Sequence, residues 1–365
     1  MSSFTTAVDQ LLELAVAKQT TMNDVHAAMQ AAGIAVADAS LEEKDEALEK
    51  LAACIIDPQV HRLIVGKITL LCGGIVEQGG TPEVAAGNVL GLLAENLDQV
   101  NHVTQQIFEL ADSQDIPIRD EQGQLVDPNG LIRQFMPTIM EQAPAEGAAL
   151  MALNDICIGA IALLARSKAA RRAAAENPDV LVNRSVLFDQ LFQSGNRSHL
   201  TQLLQVLDDQ ELLVLHPAQA KGFRVRIAGL LTNFQLHFQL MHHLAAALDS
   251  SVSVSDEMAD FEATQLVGPE SPIVTGAFQL WNASALDAAG GLPEPMQSEH
   301  WIWNEGIPSD IEVRDGERII LLSDPAYQRT WNAGVSIRGL VPELEVIATL
   351  SPQEVTEKLA ALSAS

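Results

Sequence analysis

The spacing of apolar residues changes period along this chain, and that change restricts its possible folds more than any single motif. Phe4, Val8, Leu11, Leu12 and Ala15 recur at the spacing of one helix face. The same spacing returns in Leu41–Ile56, in Val89, Leu92, Leu93, Leu97 and Val100, and in Leu150, Leu153, Cys157, Ala160, Ile161 and Leu164. It then shortens to strict alternation in Phe223-Arg-Val-Arg-Ile227. In the last third, Asp310-Ile-Glu-Val313 and Arg318-Ile-Ile-Leu-Leu322 flank Asp315-Gly316, the dipeptide of a tight hairpin turn. Hydrophobic residues make up 47% of the chain and aromatic ones only 4%, so the core is expected to be built from Leu, Ile, Val and Ala, which favours packed helices.

These periods predict a mainly α protein with a C-terminal α+β region. A small β-hairpin is expected near 212–227 and a mixed sheet in the last third. Asp112–Gly130 is rich in Asp, Gln, Pro and Gly and reads as a loop. Ser250-Ser-Val-Ser-Val-Ser255 reads as a linker. The resulting division is a helical domain over 1–114, a mainly helical domain with a hairpin over 128–250, and an α+β domain over 256–365. Thr81-Pro82 and Ser351-Pro-Gln-Glu354 carry helix-start signals. Gly66, Gly73 and Gly74 weaken the helix over 60–78 and suit close packing against a neighbour.

Against 21 Lys and Arg stand 48 Asp and Glu, a formal charge of -27, so the average field repels phosphate backbones and anionic lipid. No nucleic-acid or membrane partner is expected. The start of the chain has no basic leader followed by an apolar run, and the most apolar segment, 148–165, contains Asn154 and Asp155 and reads as too short to span a bilayer. A cytoplasmic location is expected. Cys54, Cys72 and Cys157 are odd in number and widely spaced, giving neither a disulfide framework nor paired metal ligands. The densest basic cluster, Arg166–Arg172, falls where cations complement a helix C-terminus.

Three histidines crowd into Asn233-Phe-Gln-Leu-His-Phe-Gln-Leu-Met-His-His243. On a helix at about 100° per residue, His242 and His243 diverge from His237, so the stretch lacks the i,i+4 spacing of a metal pair. In that register His237 lies beside Phe234, Phe238 and Met241, where a neutral, hydrogen-bonded imidazole is the ordinary outcome. His237 is therefore expected to be less exposed than His242 or His243. Asp256 and Asp260 follow the linker and share a helix face, although Ser255 with Asp256 and Glu257 also fits a helix N-terminus.

All four tryptophans lie in the last third, and Trp281, Trp303 and Trp331 each precede an asparagine. Such pairs suit strand-to-turn anchors or the lining of a binding groove. No nucleophile elbow, dinucleotide loop, kinase signature or zincin motif occurs. The leading expectation is a non-enzymatic interaction or regulatory protein that meets a protein partner or its own copy. Helical surfaces and loops carrying Trp281, Trp301, Trp303 and Trp331 would make the contact, with Arg224 and Arg226 as further interaction residues. No cofactor is expected on that reading. The alternative is a metal-assisted hydrolase, with His237 as base or ligand, Asp256 and Asp260 as further ligands of a divalent ion, and Arg224 or Arg226 orienting an anionic substrate.

Overall fold

The computed structural model describes residues 2–123, 125–176, 181–185, 195–250, 252–292 and 298–364; for 195–198 it describes the backbone alone. The protein is α+β, with helices through its N-terminal and middle regions and a mixed sheet in the last third. It forms two compact units, Met1–Leu204 and Gln205–Ser365. The boundary expected near 114–128 lies inside the first unit, and the one near 250 lies inside the second.

In the first unit the helices are α1 (Ser3–Val16), α2 (Met22–Ala35), α3 (Leu41–Ile55), α4 (Arg62–Glu77), α5 (Glu83–Asp112), α6 (Pro128–Gln142), α7 (Pro144–Arg166), α8 (Lys168–Ala175) and α9 (Gly195–Leu204). Local chemistry explains several of their starts. Ser2 caps α1, and Thr21 with Asp24 and Ser40 with Glu43 form reciprocal capping boxes at α2 and α3. Thr81 does not cap α5 as its sequence suggests. Its backbone N–H and its hydroxyl both donate to the Asp45 carboxylate at 2.8 Å, a longer-range pair of bonds that replaces the local one.

Helix α7 packs against both α4 and α5, which joins the two sides of the Asp112–Gly130 loop in one core. Glycine permits the α4–α7 approach: a Cβ on Gly73 would lie 2.9 Å from the Gly159 Cα, and one on Gly66 3.0 Å from the Ala152 Cβ. At 23 residues, α7 is long and apolar enough to cross a bilayer, contrary to the sequence expectation, yet 67% of its most apolar stretch is buried within the protein. Asp155 is accommodated there by an ion pair with Lys67 at 2.7 Å. The basic cluster is split by Ser167, which caps α8. Arg171 is buried and donates to the Leu164 carbonyl at 2.6 Å, satisfying the C-terminus of α7.

The second unit is organised by one six-stranded sheet. Its strands are β1 (Gln210–His216), β2 (Lys221–Ala228), β4 (Gln279–Asn282), β5 (Val313–Arg314), β6 (Glu317–Ser323) and β8 (Glu343–Leu350). They run in the order β4-β6-β1-β2-β8, with β5 paired to β6, while β3 (Ile273–Thr275) and β7 (Thr330–Asn332) form a separate ribbon. The hairpin expected near 212–227 is present, with Leu212 opposite Val225, but it forms the middle of this sheet rather than a small separate feature. Burial explains why: Leu212–Leu215 and Ile319–Leu322 are apolar at every position, and only a sheet covered on both faces hides both sets.

One face carries Leu212, Val214, Val225, Ile320 and Leu322 against α10 (Asn233–Leu244). The other carries Leu213, Leu215, Ile319 and Leu321 against Val355, Leu359 and Leu362 of α12 (Pro352–Ala364). Ser351 and Glu354 form the expected capping box at α12. Asp315 and Gly316 make the expected β5–β6 turn, both with positive φ. Ser255 caps α11 (Asp256–Thr264), as its position suggested; in the linker before it, Ser251 lies outside the described residues.

Candidate functional site: an aromatic and arginine surface beside a buried histidine

Helix α10 is the scaffold of the site. The sequence reads as amphipathic, yet the helix is buried around most of its circumference, including Gln235, His237 and Gln239. Its first turn supplies the reason the neighbouring loop is fixed. The N–H groups of Asn233 and Phe234 donate to the carbonyls of Gly306 and Asn304 at 2.9 and 3.0 Å, and the Asn233 amide donates to the Trp303 carbonyl at 2.9 Å. Orphan donors of a helix start are thereby satisfied by the loop that presents Trp303.

His237 is 1% exposed, less than the half-buried His242 and the exposed His243, as expected from the helical register. The imidazole of His237 lies between Trp331 and Phe278, with ring centroids 5.1 and 6.1 Å away. Its Nε2 accepts the Phe278 N–H at 3.3 Å, and its Nδ1 lies 3.4 Å from the Asn304 side-chain amide. Because the backbone N–H fixes Nε2 as acceptor, the tautomer that satisfies both contacts carries its proton on Nδ1 and meets the Asn304 amide through its oxygen, reached by a flip of that amide. Burial pushes the pKa of His237 down to about 4, and the nearby Arg329 charge acts in the same direction against the Asn304 bond. At neutral pH this is an uncharged group that ties α10 to the segments holding Phe278 and Asn304.

On the surface side of Asn304, Arg329 reaches Glu305 with both carboxylate oxygens at 3.2 Å. Its guanidinium carbon lies 5.5 Å from the Trp303 ring centre and 5.8 Å from that of Tyr327. Trp303 and Tyr327 are each 45% exposed. Trp301 backs them at 5.2 and 6.0 Å and meets the fully buried Trp281 edge-on at 5.9 Å. The result is a stacked aromatic and cationic surface with a rigid support.

The four tryptophans therefore divide by role. Trp281 and Trp331 are anchors within the short strands β4 and β7: the Trp281 indole donates to the Ser323 hydroxyl at 3.0 Å, and Trp331 packs on Phe234 and His237. Trp303 alone among them is strongly exposed, and Trp301 joins the two sets. Arg224 and Arg226 lie elsewhere. Arg224 pairs with Glu317 at 2.6 Å, and Arg226 with Glu211 and Glu345, each at 3.2 Å, which makes them cross-strand partners on the sheet. Asp256 and Asp260 are exposed on α11, and among the described residues no three His, Cys, Asp or Glu side chains gather as metal ligands. The structure does not bring His237, Asp256 and Asp260 into a common ligand group.

No family model, curated protein or solved structure matches this chain. The site is accordingly read from its own geometry. Tyr327, Arg329 and Glu305 are the members that sequence reasoning missed. They carry no motif, and their stack forms between a loop and a strand end separated in the chain, so no local pattern announces it.

Proposed function

We propose that this is a non-enzymatic interaction protein whose second unit binds a polypeptide partner through Trp303, Tyr327 and Arg329. The observation that carries this reading is the pair of half-exposed aromatic rings held against one guanidinium and braced by Glu305 and Trp301. Trp, Tyr and Arg are the residue types that dominate binding energy at protein interfaces: the two aromatics bury a large area with only two rotors to freeze, and the arginine adds a planar fork of donors. The loop is already tied to α10, so little ordering remains to be done on contact. An apolar side chain of the partner would fill the space over the rings, and its carboxylate would compete with Glu305 for Arg329.

A photoreactive residue placed at the exposed Gln328, beside the patch, tests this in the cells that make the protein. The expected result is one dominant crosslinked polypeptide that disappears in Trp303→Ala, with the far-UV spectrum unchanged. A crosslinking pattern that is diffuse, or unaltered by Trp303→Ala, would overturn the proposal.

A further inference from the structure

A second feature belongs to the first unit and shares no residue with the Trp303 surface. A cavity of about 510 Å³ opens where the chain leaves α3, enters α4 and passes one face of α5. Its volume falls in the ordinary range for a small-ligand site, roughly 300–1,000 Å³. Val60, Val65 and Leu92, all buried, give it an apolar floor. Gly87 and Gly91 stand one turn apart on the α5 side. Glycine inside a helix weakens it relative to alanine, and these two have no packing reason to be there. Where Gly66 and Gly73 admit α7, nothing lies within 4 Å of a Cβ built on Gly87 or Gly91, so the pair keeps this length of α5 clear.

Three polar groups of the lining have bonding capacity left. The Arg62 side chain is 20% exposed and gives one guanidinium nitrogen to Glu95, while its Nε and Nη1 donors have no partner among the described residues. The Asn88 amide donates to the Ala52 carbonyl at 2.8 Å, which leaves its oxygen as an acceptor. Asp57 accepts the Gln59 N–H at 2.9 Å through one carboxylate oxygen and keeps the other. The ion pair fixes Arg62 beside Glu95, and Asn88 lies two turns earlier on α5, about 10 Å away along the helix axis. The cavity therefore offers a donor fork at one end, an amide acceptor at the other and a carboxylate in its wall.

We infer that this cavity binds a short apolar peptide of about three residues, whose terminal carboxylate meets Arg62 and whose ammonium and N–H groups donate to Asp57 and Asn88. Three extended residues span about 10 Å, which matches the separation of the two ends. A simple anion would face Asp57 and Glu95, a simple cation would face Arg62, and a ligand with a charge of each sign at its ends suits both. The inference does not depend on the interaction surface proposed above, and the two fail separately.

Calorimetric titration of the full chain with the tripeptide Ala-Leu-Ala near neutral pH, beside its C-terminal amide, tests it. The expected result is saturable binding of the free acid with a Kd on the order of 0.1 mM, ordinary for a ligand of that size. The amide should bind about tenfold more weakly, the loss expected for one charge-assisted bond. Arg62→Met should bind acid and amide alike, since it removes the fork while the exposed Glu95 stays solvated. Gly91→Leu fills the cavity from a position where its Cβ meets nothing, so the protein should fold, gain helix propensity and lose the peptide. Absence of saturation up to about 1 mM, at which such a complex would be largely formed, would overturn the inference. So would an amide that binds the parent as tightly as the acid, or a Gly91→Leu protein with the helical circular dichroism and the affinity of the parent.

Discussion

Replacing His237 by glutamine should flatten the pH dependence of the second unit's stability. The folded protein holds this imidazole neutral, with a pKa of about 4 against an ordinary value of 6.5. The unfolded chain therefore takes up a proton between these values that the folded chain resists. Stability from this group is complete above pH 6.5 and is lost as pH falls toward 4. A shift of this size corresponds to about 3 kcal/mol in full, of which about 2 kcal/mol is lost between pH 7.5 and pH 5. Glutamine retains an amide oxygen that can accept the Phe278 N–H but has no proton to gain in this range. At pH 7.5 the variant should be destabilised by about 1 to 2 kcal/mol, and His237→Ala by about 3 kcal/mol through a cavity and an orphaned N–H. Urea unfolding followed by tryptophan fluorescence reads this unit selectively, because all four tryptophans lie between residues 281 and 331. Equal loss of stability in parent and His237→Gln between pH 7.5 and pH 5 would refute the assignment of His237 as a buried neutral tie.

Two further outcomes follow from packing and charge. Gly73→Ala should destabilise the helical unit by about 1 to 3 kcal/mol, since its Cβ would meet the Gly159 Cα at 2.9 Å and force α4 from α7; thermal melting by circular dichroism checks this. Glu262 is buried, accepts the Gly334 N–H, and has its pKa raised to about 7 by burial. Its folded value exceeds its ordinary 4.5, so its contribution is present below pH 4.5 and is lost as pH rises through 7. Glu262→Gln should consequently gain about 3 kcal/mol over the parent on going from pH 4.5 to pH 8, measured by urea midpoints at both.

What this sequence determined alone is what neighbouring residues settle among themselves. Ser40 with Glu43 and Ser351 with Glu354 close their capping boxes within one helical turn, and Asp315-Gly316 adopts its tight turn through its own backbone preferences. His237 was legible as the inward histidine because the helical period sets it beside Phe238 and Met241. Helices and strands were readable for the same reason, since periodicity reports which side of an element is buried.

Only tertiary structure decided what covers those sides. The loop over 112–130 appeared to end a domain, but α7 returns beyond it to complete the core of α4 and α5. The hairpin over 210–228 appeared separate until β6 paired with β1 and β8 with β2, hiding residues whose partners lie far along the chain. Arg224 and Arg226 were identifiable as charged strand residues, while their neutralisation by Glu317, Glu211 and Glu345 depended on sheet register. The candidate site was legible only as an excess of tryptophan. Its exposed member, its guanidinium and its brace came together because α10 tied down the 303–306 loop opposite Tyr327 and Arg329, a convergence that depends on long-range packing and leaves no periodic trace in the chain.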